Sequence, residues 1–219
     1  MTTSTKNLNA AVKAQAKEIV ANGTDIRPRL TSVFTQAAWQ SQESGEGLVS
    51  LVRAAIDGAR QGLDKSVSND RDDVLRQVVD ALGDGLSQTA LAGRLAIQEA
   101  VTTSRQYTGE DLARLRDDLT AVRELFAETI NKGLQTCKAL TAGQVATAMT
   151  HAGRVAEHLA PKFGAVLDAV RQHPVTLARE GVRAGVAAGQ GAAGSLFQTL
   201  GRMLQRAGDE MSREGEPDK

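Results

Sequence analysis

The chain of 219 residues has one cysteine, four prolines and almost no aromatic side chains, and each scarcity closes off a class of protein. With Cys137 alone there is no internal disulfide framework, which fits a reducing, cytoplasmic compartment. Aromatics make up 3% of the residues, so the apolar faces consist mostly of Ala, Val and Leu, which bury little area per residue and predict shallow packing. No window approaches the roughly 18 strongly apolar residues of a bilayer span, and Met1–Ala16 lacks the apolar core of a secretory signal. The expectation is a protein that is neither exported nor membrane-spanning. Net charge is zero, with 26 basic and 26 acidic residues and no concentrated basic stripe, which disfavours nucleic acid as a partner.

What the chain does have is helical rhythm. Leu112, Leu115, Leu119, Val122, Phe126, Ile130, Leu134, Cys137, Thr141, Val145, Ala148, Ala152, Val155 and Leu159 recur three or four apart, at a mean period close to that of a straight helix. Thr108 followed by Glu110 and Asp111 is a helix start, and Pro161 a stop or kink. The pattern predicts one long central helix over 108–160, roughly 75 Å long at about 1.5 Å per residue. A helix of that length needs partners along its whole apolar face, and the flanking segments must supply them.

Those segments are helical too. Leu8, Val12, Ala16, Ile19 and Val20 share one face and run up to Gly23, a helix terminator. Pro28 introduces Leu30, Val33, Phe34 and Ala37, and Ser44-Gly45-Glu46-Gly47 is a break. Two further segments read as degenerate copies displaced by 23 residues: Val52 to Asp57 followed by Gly62-Leu63, and Leu75 to Asp80 followed by Gly85-Leu86. Val122-Arg123 to Gly133-Leu134 is a looser third copy, and duplication competes with chance recurrence as its explanation. Asn69 or Asp70 caps the second of these segments. The expected fold is all-α, an elongated bundle over 1–160 built around the long helix. C-terminal amphipathic helices rich in Gly and Ala follow over 161–207, then a charged flexible tail over 208–219.

Candidate chemistry is sparse. Gly189-Gln-Gly191-Ala-Ala-Gly194 matches G-x-G-x-x-G in letters, but no strand delivers it and no second strand follows, so a dinucleotide cradle is not expected. Gly181, Gly185 and Gly189 fall on one helical face, where they permit close helix packing. His151 and His158 lie two turns apart without the further ligands a metal needs, and Asp72-Asp73 and Asp117-Asp118 are explained by helix electrostatics. The expectation is no catalytic centre, no cofactor and no metal. Between Lys162 and Arg206 six bases face two acids, which fits either internal charge pairing or a preference for an anionic surface.

The stretch Glu124-Leu-Phe-Ala-Glu-Thr-Ile-Asn-Lys-Gly-Leu-Gln-Thr-Cys-Lys-Ala-Leu140 resembles the helical body of bacterial phasins, which coat polyhydroxyalkanoate granules. The resemblance covers about the central third and implies a non-enzymatic, surface-binding protein that oligomerises. Two apolar clusters with flanking arginines suit such a surface: Phe163, Val166, Leu167 and Val170, then Leu196, Phe197, Leu200, Met203 and Leu204, with Arg183 between them. The resulting expectation is peripheral association with a granule or membrane, hydrophobic or anionic. The alternative is a soluble helical scaffold that binds a protein partner or a second copy of itself.

Overall fold

The computed structural model describes residues 3–44, 47–66, 70–103, 109–138 and 140–172. They form six helices, with no strand among the described residues: α1 (Thr3–Asn22), α2 (Ile26–Ser44), α3 (Leu48–Leu63), α4 (Arg71–Thr103), α5 (Gly109–Gln135) and α6 (Ala142–Gln172). The protein is an all-α helical bundle. Local chemistry sets the helix ends. Gly23 takes a left-handed φ of 71° and returns its N–H to the Ile19 carbonyl, closing α1. Asp70 caps α4, its Oδ1 accepting the Asp73 N–H at 2.9 Å.

The long central helix is not formed. The chain leaves helix after Gln135 and re-enters it at Ala142, so α5 and α6 are two helices packed against one another. The cause is a capping box at the start of α6. Thr141 Oγ1 accepts the Gln144 N–H at 3.3 Å, while Gln144 Oε1 accepts the Thr141 N–H at 3.0 Å. Thr141, counted above as a stripe position, is thus a helix start. Pro161 lies within α6 and neither ends it nor marks a boundary, so the division expected at residue 161 falls inside a continuous helix.

The helices make two layers, α1-α3-α5 and α2-α4-α6, joined at one edge by α1 against α2 and at the other by α5 against α6. Helices within a layer run parallel. Asn9 reaches Ser50, Lys13 reaches Asp57, and Lys17 lies over Gly62, so residue numbers rise together along α1 and α3. Along α2 and α4, Arg27 meets Asp84 and Thr35 meets Gln88. On α6, His151, Val155 and Lys162 stand opposite Asp80, Gly83 and Ser87 of α4. The result is a flattened ring of six helices around one core.

That core holds Phe34, Phe126 and Phe163, with Ile26, Leu30, Leu48, Leu51, Ile56, Leu63, Leu75, Leu82 and Leu86, all essentially inaccessible. Small residues bring the backbones together in place of aromatic bulk. Gly62, Gly85 and Gly133, each followed by Leu in the three similar segments, each press on the helix two before them. They meet Val20 of α1, Phe34 of α2 and Ile56 of α3 respectively. The three Gly-Leu pairs thus share a packing role. A methyl group built on Gly58 would lie 2.2 Å from the Lys13 carbonyl oxygen, so α1 and α3 approach at a distance only glycine allows.

Candidate functional site

The α2-α4-α6 layer carries the densest set of cross-helix polar contacts among the described residues. Asp80 of α4 is its centre. Its Oδ1 pairs with His151 Nε2 of α6 at 2.7 Å, and its Oδ2 lies 3.5 Å from an Arg27 terminal nitrogen of α2. Arg27 also donates through Nε to Asp84 Oδ2 at 2.7 Å. The Asp84 hydrogen bond and charge, with Asp80 adding to them, raise the Arg27 pKa and hold the guanidinium charged. Asp80 and His151 are each 21% exposed, sheltered enough that the pair is screened less than a free surface pair. These four side chains stitch all three helices of the layer.

Beside the stitch, α4 and α6 enclose a groove of about 350 Å³ lined by Asp80, Asp84, Ser87, His151, Arg154, His158 and Lys162. It continues past His151 and Arg154 into a smaller recess of about 250 Å³ that reaches Asp72, Arg76 and Gln144. Register explains why these residues meet. Positions 151, 154, 158 and 162 recur three or four apart and so share one edge of α6, while 80, 84 and 87 do the same on α4. Lys162 Nζ donates to Ser87 Oγ at 2.8 Å, and His158 Nδ1 meets the Arg154 carbonyl at 2.9 Å. No described carboxylate pairs with Arg154 or with Lys162. A His–Asp pair of this kind can orient an imidazole, but the hydroxyl in the groove, Ser87, is engaged by Lys162. What the groove offers chemically is a row of donors and positive charge.

The residues expected from sequence to face a surface divide. Phe163 and Val166 are 0% and 1% exposed and belong to the core, which corrects their expected placement on an exposed face; α6 turns that edge toward α5 and α4. Leu167 is half-buried. The Val170 side chain lies outside the described residues, as do Arg183, Leu196, Phe197, Leu200, Met203 and Leu204 and the packing glycines Gly181, Gly185 and Gly189. Cys137 is buried in the α5–α6 connection. Among the described residues, no three His, Cys, Asp or Glu side chains gather to hold a metal, and no helix is long and apolar enough to cross a membrane.

A model of the family of unknown function DUF6781 matches residues 2–210. The chain belongs to this family. Neither the curated proteins nor the solved structures yield a match. The family match runs beyond α6 and takes in the C-terminal apolar cluster.

Sequence reasoning missed the groove. His151 and His158 were legible as a pair on one face, but their partners were not, because Asp80 is 71 positions from His151. The available signal was the row His151, Arg154, His158 and Lys162 on a single helical edge.

Proposed function

We propose that the chain is a non-enzymatic, amphipathic, phasin-like helical protein of the cytoplasm that associates peripherally with a hydrophobic or anionic surface, a granule or a membrane, through its C-terminal apolar cluster. One observation carries this reading: among the described residues most of the apolar positions of the six helices are buried against one another, Phe163 and Val166 included. Of the two clusters suited to a surface, the first is thus taken up by the core in Phe163 and Val166, and the second, Leu196, Phe197, Leu200, Met203 and Leu204, lies outside the described residues and is the one to test. Three of the four phenylalanines are buried in the ring, and the fourth is Phe197. Apolar residues near Arg183, Arg202 and Arg206 have the composition of an interfacial segment. The resemblance to phasins is why a granule stands beside a membrane as the surface to test.

The test is the double variant Phe197→Ser/Leu200→Ser in the full chain. Loss of binding to anionic liposomes and to polyhydroxyalkanoate granules, with helical content and melting temperature unchanged, supports the reading. Unfolding of the variant assigns these residues to the core, and a wild-type chain that binds neither surface at low salt ends it.

A second reading, assembly with a protein partner or a second copy of the chain, is favoured by Leu91 and Leu95. They lie one turn apart on α4 and are 57% and 46% exposed. If Leu91→Ser/Leu95→Ser leaves the mass of the particle in light scattering unchanged, self-assembly through this edge is rejected.

A further inference from the structure

We propose that the groove between α4 and α6 binds a ligand carrying linked phosphate groups. Three features lead there. Arg154, His158 and Lys162 project from successive turns of α6 along the groove, and the hydroxyl of Ser87 stands opposite. The two carboxylates in the groove are already answered: Asp80 by His151 and Arg27, Asp84 by Arg27. Two fixed cations and two carboxylates line the groove, but Arg27 of α2 answers both carboxylates from outside it, and among the described residues Arg154 and Lys162 have no carboxylate partner. An anion entering there meets donors and uncompensated charge, with Asp80 and Asp84 held from the far side.

Spacing selects the kind of anion. Eight residues of helix separate Arg154 from Lys162, roughly 12 Å of axis at about 1.5 Å per residue. One phosphate cannot engage both ends of that row with the side chains relaxed, whereas a chain of phosphates or a headgroup with several can. Arg154 supplies a planar fork suited to phosphate oxygens, and Lys162 a point charge beside a hydroxyl. The groove is open along one side, so an extended ligand needs no rearrangement of the helices to enter. None of the groove residues belongs to the C-terminal apolar cluster, so the variants below and Phe197→Ser/Leu200→Ser test the two proposals separately.

The test uses the full chain and three soluble probes, inorganic phosphate, pyrophosphate and tripolyphosphate, titrated calorimetrically at low and high salt. Affinity should rise through the series and fall with salt. Arg154→Gln and Lys162→Gln should each weaken tripolyphosphate binding by about tenfold, as expected for loss of one charge-assisted contact. Arg123→Gln, an equal charge loss on α5, should not. Circular dichroism checks that each variant keeps its helices. A parallel arm uses phosphatidylcholine vesicles with and without phosphatidylinositol bisphosphate. Vesicle binding that Arg154→Gln or Lys162→Gln weakens and Phe197→Ser/Leu200→Ser does not, without binding to the soluble probes, identifies a lipid headgroup as the source of the phosphates. The reverse identifies a free ligand, and vesicle binding that neither groove variant weakens counts against the groove. Equal affinity for phosphate and tripolyphosphate overturns the proposal. So does binding that is lost equally in Arg123→Gln, or no binding in either arm.

Discussion

Adding one methyl group at Gly58 tests the close packing of the ring more sharply than removing a large side chain. A helix interior favours Ala over Gly by about 1 kcal/mol, so on propensity alone Gly58→Ala should stabilise α3. The structure reverses the sign. The new methyl would lie 2.2 Å from the Lys13 carbonyl oxygen and 2.9 Å from Ala16 Cβ, and a carbonyl inside α1 cannot rotate aside as a flexible side chain would. Overpacking of this kind costs about 1–3 kcal/mol, occasionally more, and here separates two helices along their length. A clash with backbone at 2.2 Å belongs at the upper end, about 2–3 kcal/mol. After the propensity gain of about 1 kcal/mol the net expectation is a loss of about 1–2 kcal/mol, or a fall in melting temperature of roughly 2–8 °C for a protein of this size. Gly153 of α6 is the control, because a methyl there meets nothing within 4 Å. Gly153→Ala should gain about 0.5–1 kcal/mol. Urea unfolding followed by far-ultraviolet circular dichroism measures both. If Gly58→Ala is as stable as the wild type, or shifts in the same direction as Gly153→Ala, the parallel α1–α3 approach is wrong.

Other expectations follow from single contacts. Phe163→Ala should cost about 3–5 kcal/mol in the same urea assay, because the ring is fully buried; a loss under 1 kcal/mol would return Phe163 to the surface. Thr141→Ala removes half of the capping box and should cost about 1 kcal/mol, while Thr150→Ala, a mid-helix hydroxyl in α6, should not destabilise. Hydrogen bonds from Gln77 and then Arg76 hold the Asp73 carboxyl below its ordinary value of 3.8. Its folded pKa is depressed, so its contribution to the start of α4 is present above about pH 4 and fades as pH falls through the lower folded value. Asp73→Asn should flatten that part of the stability-versus-pH profile, and an unchanged profile would remove Asp73 from the account.

The apolar stripes were legible in the sequence almost residue by residue. Leu119, Val122, Phe126, Ile130, Leu134, Cys137, Ala148, Ala152 and Leu159 all came out buried, yet the single helix they suggested is two. Periodicity survives the break because α5 and α6 face one core, so a stripe counted across residues 136–141 stays in phase by coincidence of register. The break itself was written in Thr141 and Gln144, whose spacing is that of a capping box and was hidden by treating Thr141 as apolar. The recurrence of Gly62-Leu63, Gly85-Leu86 and Gly133-Leu134 was visible as a pattern. Its meaning was not, because a packing glycine is recognised only by the helix it touches. The groove depends on α4 lying beside α6, a neighbourhood set by the whole topology and not by either helix alone.

The central structural claim is that α5 and α6 form a hairpin that lays α6 parallel to α4, and one engineered crosslink tests it directly. A Cβ placed on Gly83 would stand 3.8 Å from Val155 Cβ, the separation typical of a disulfide. The variant Gly83→Cys/Val155→Cys, made with Cys137→Ala so that no other thiol competes, should close an intramolecular disulfide under mild oxidation. The account predicts near-complete loss of free thiol with a faster-running monomer on a non-reducing gel. Two persistent free thiols, or crosslinked dimers in place of the monomer, would contradict it.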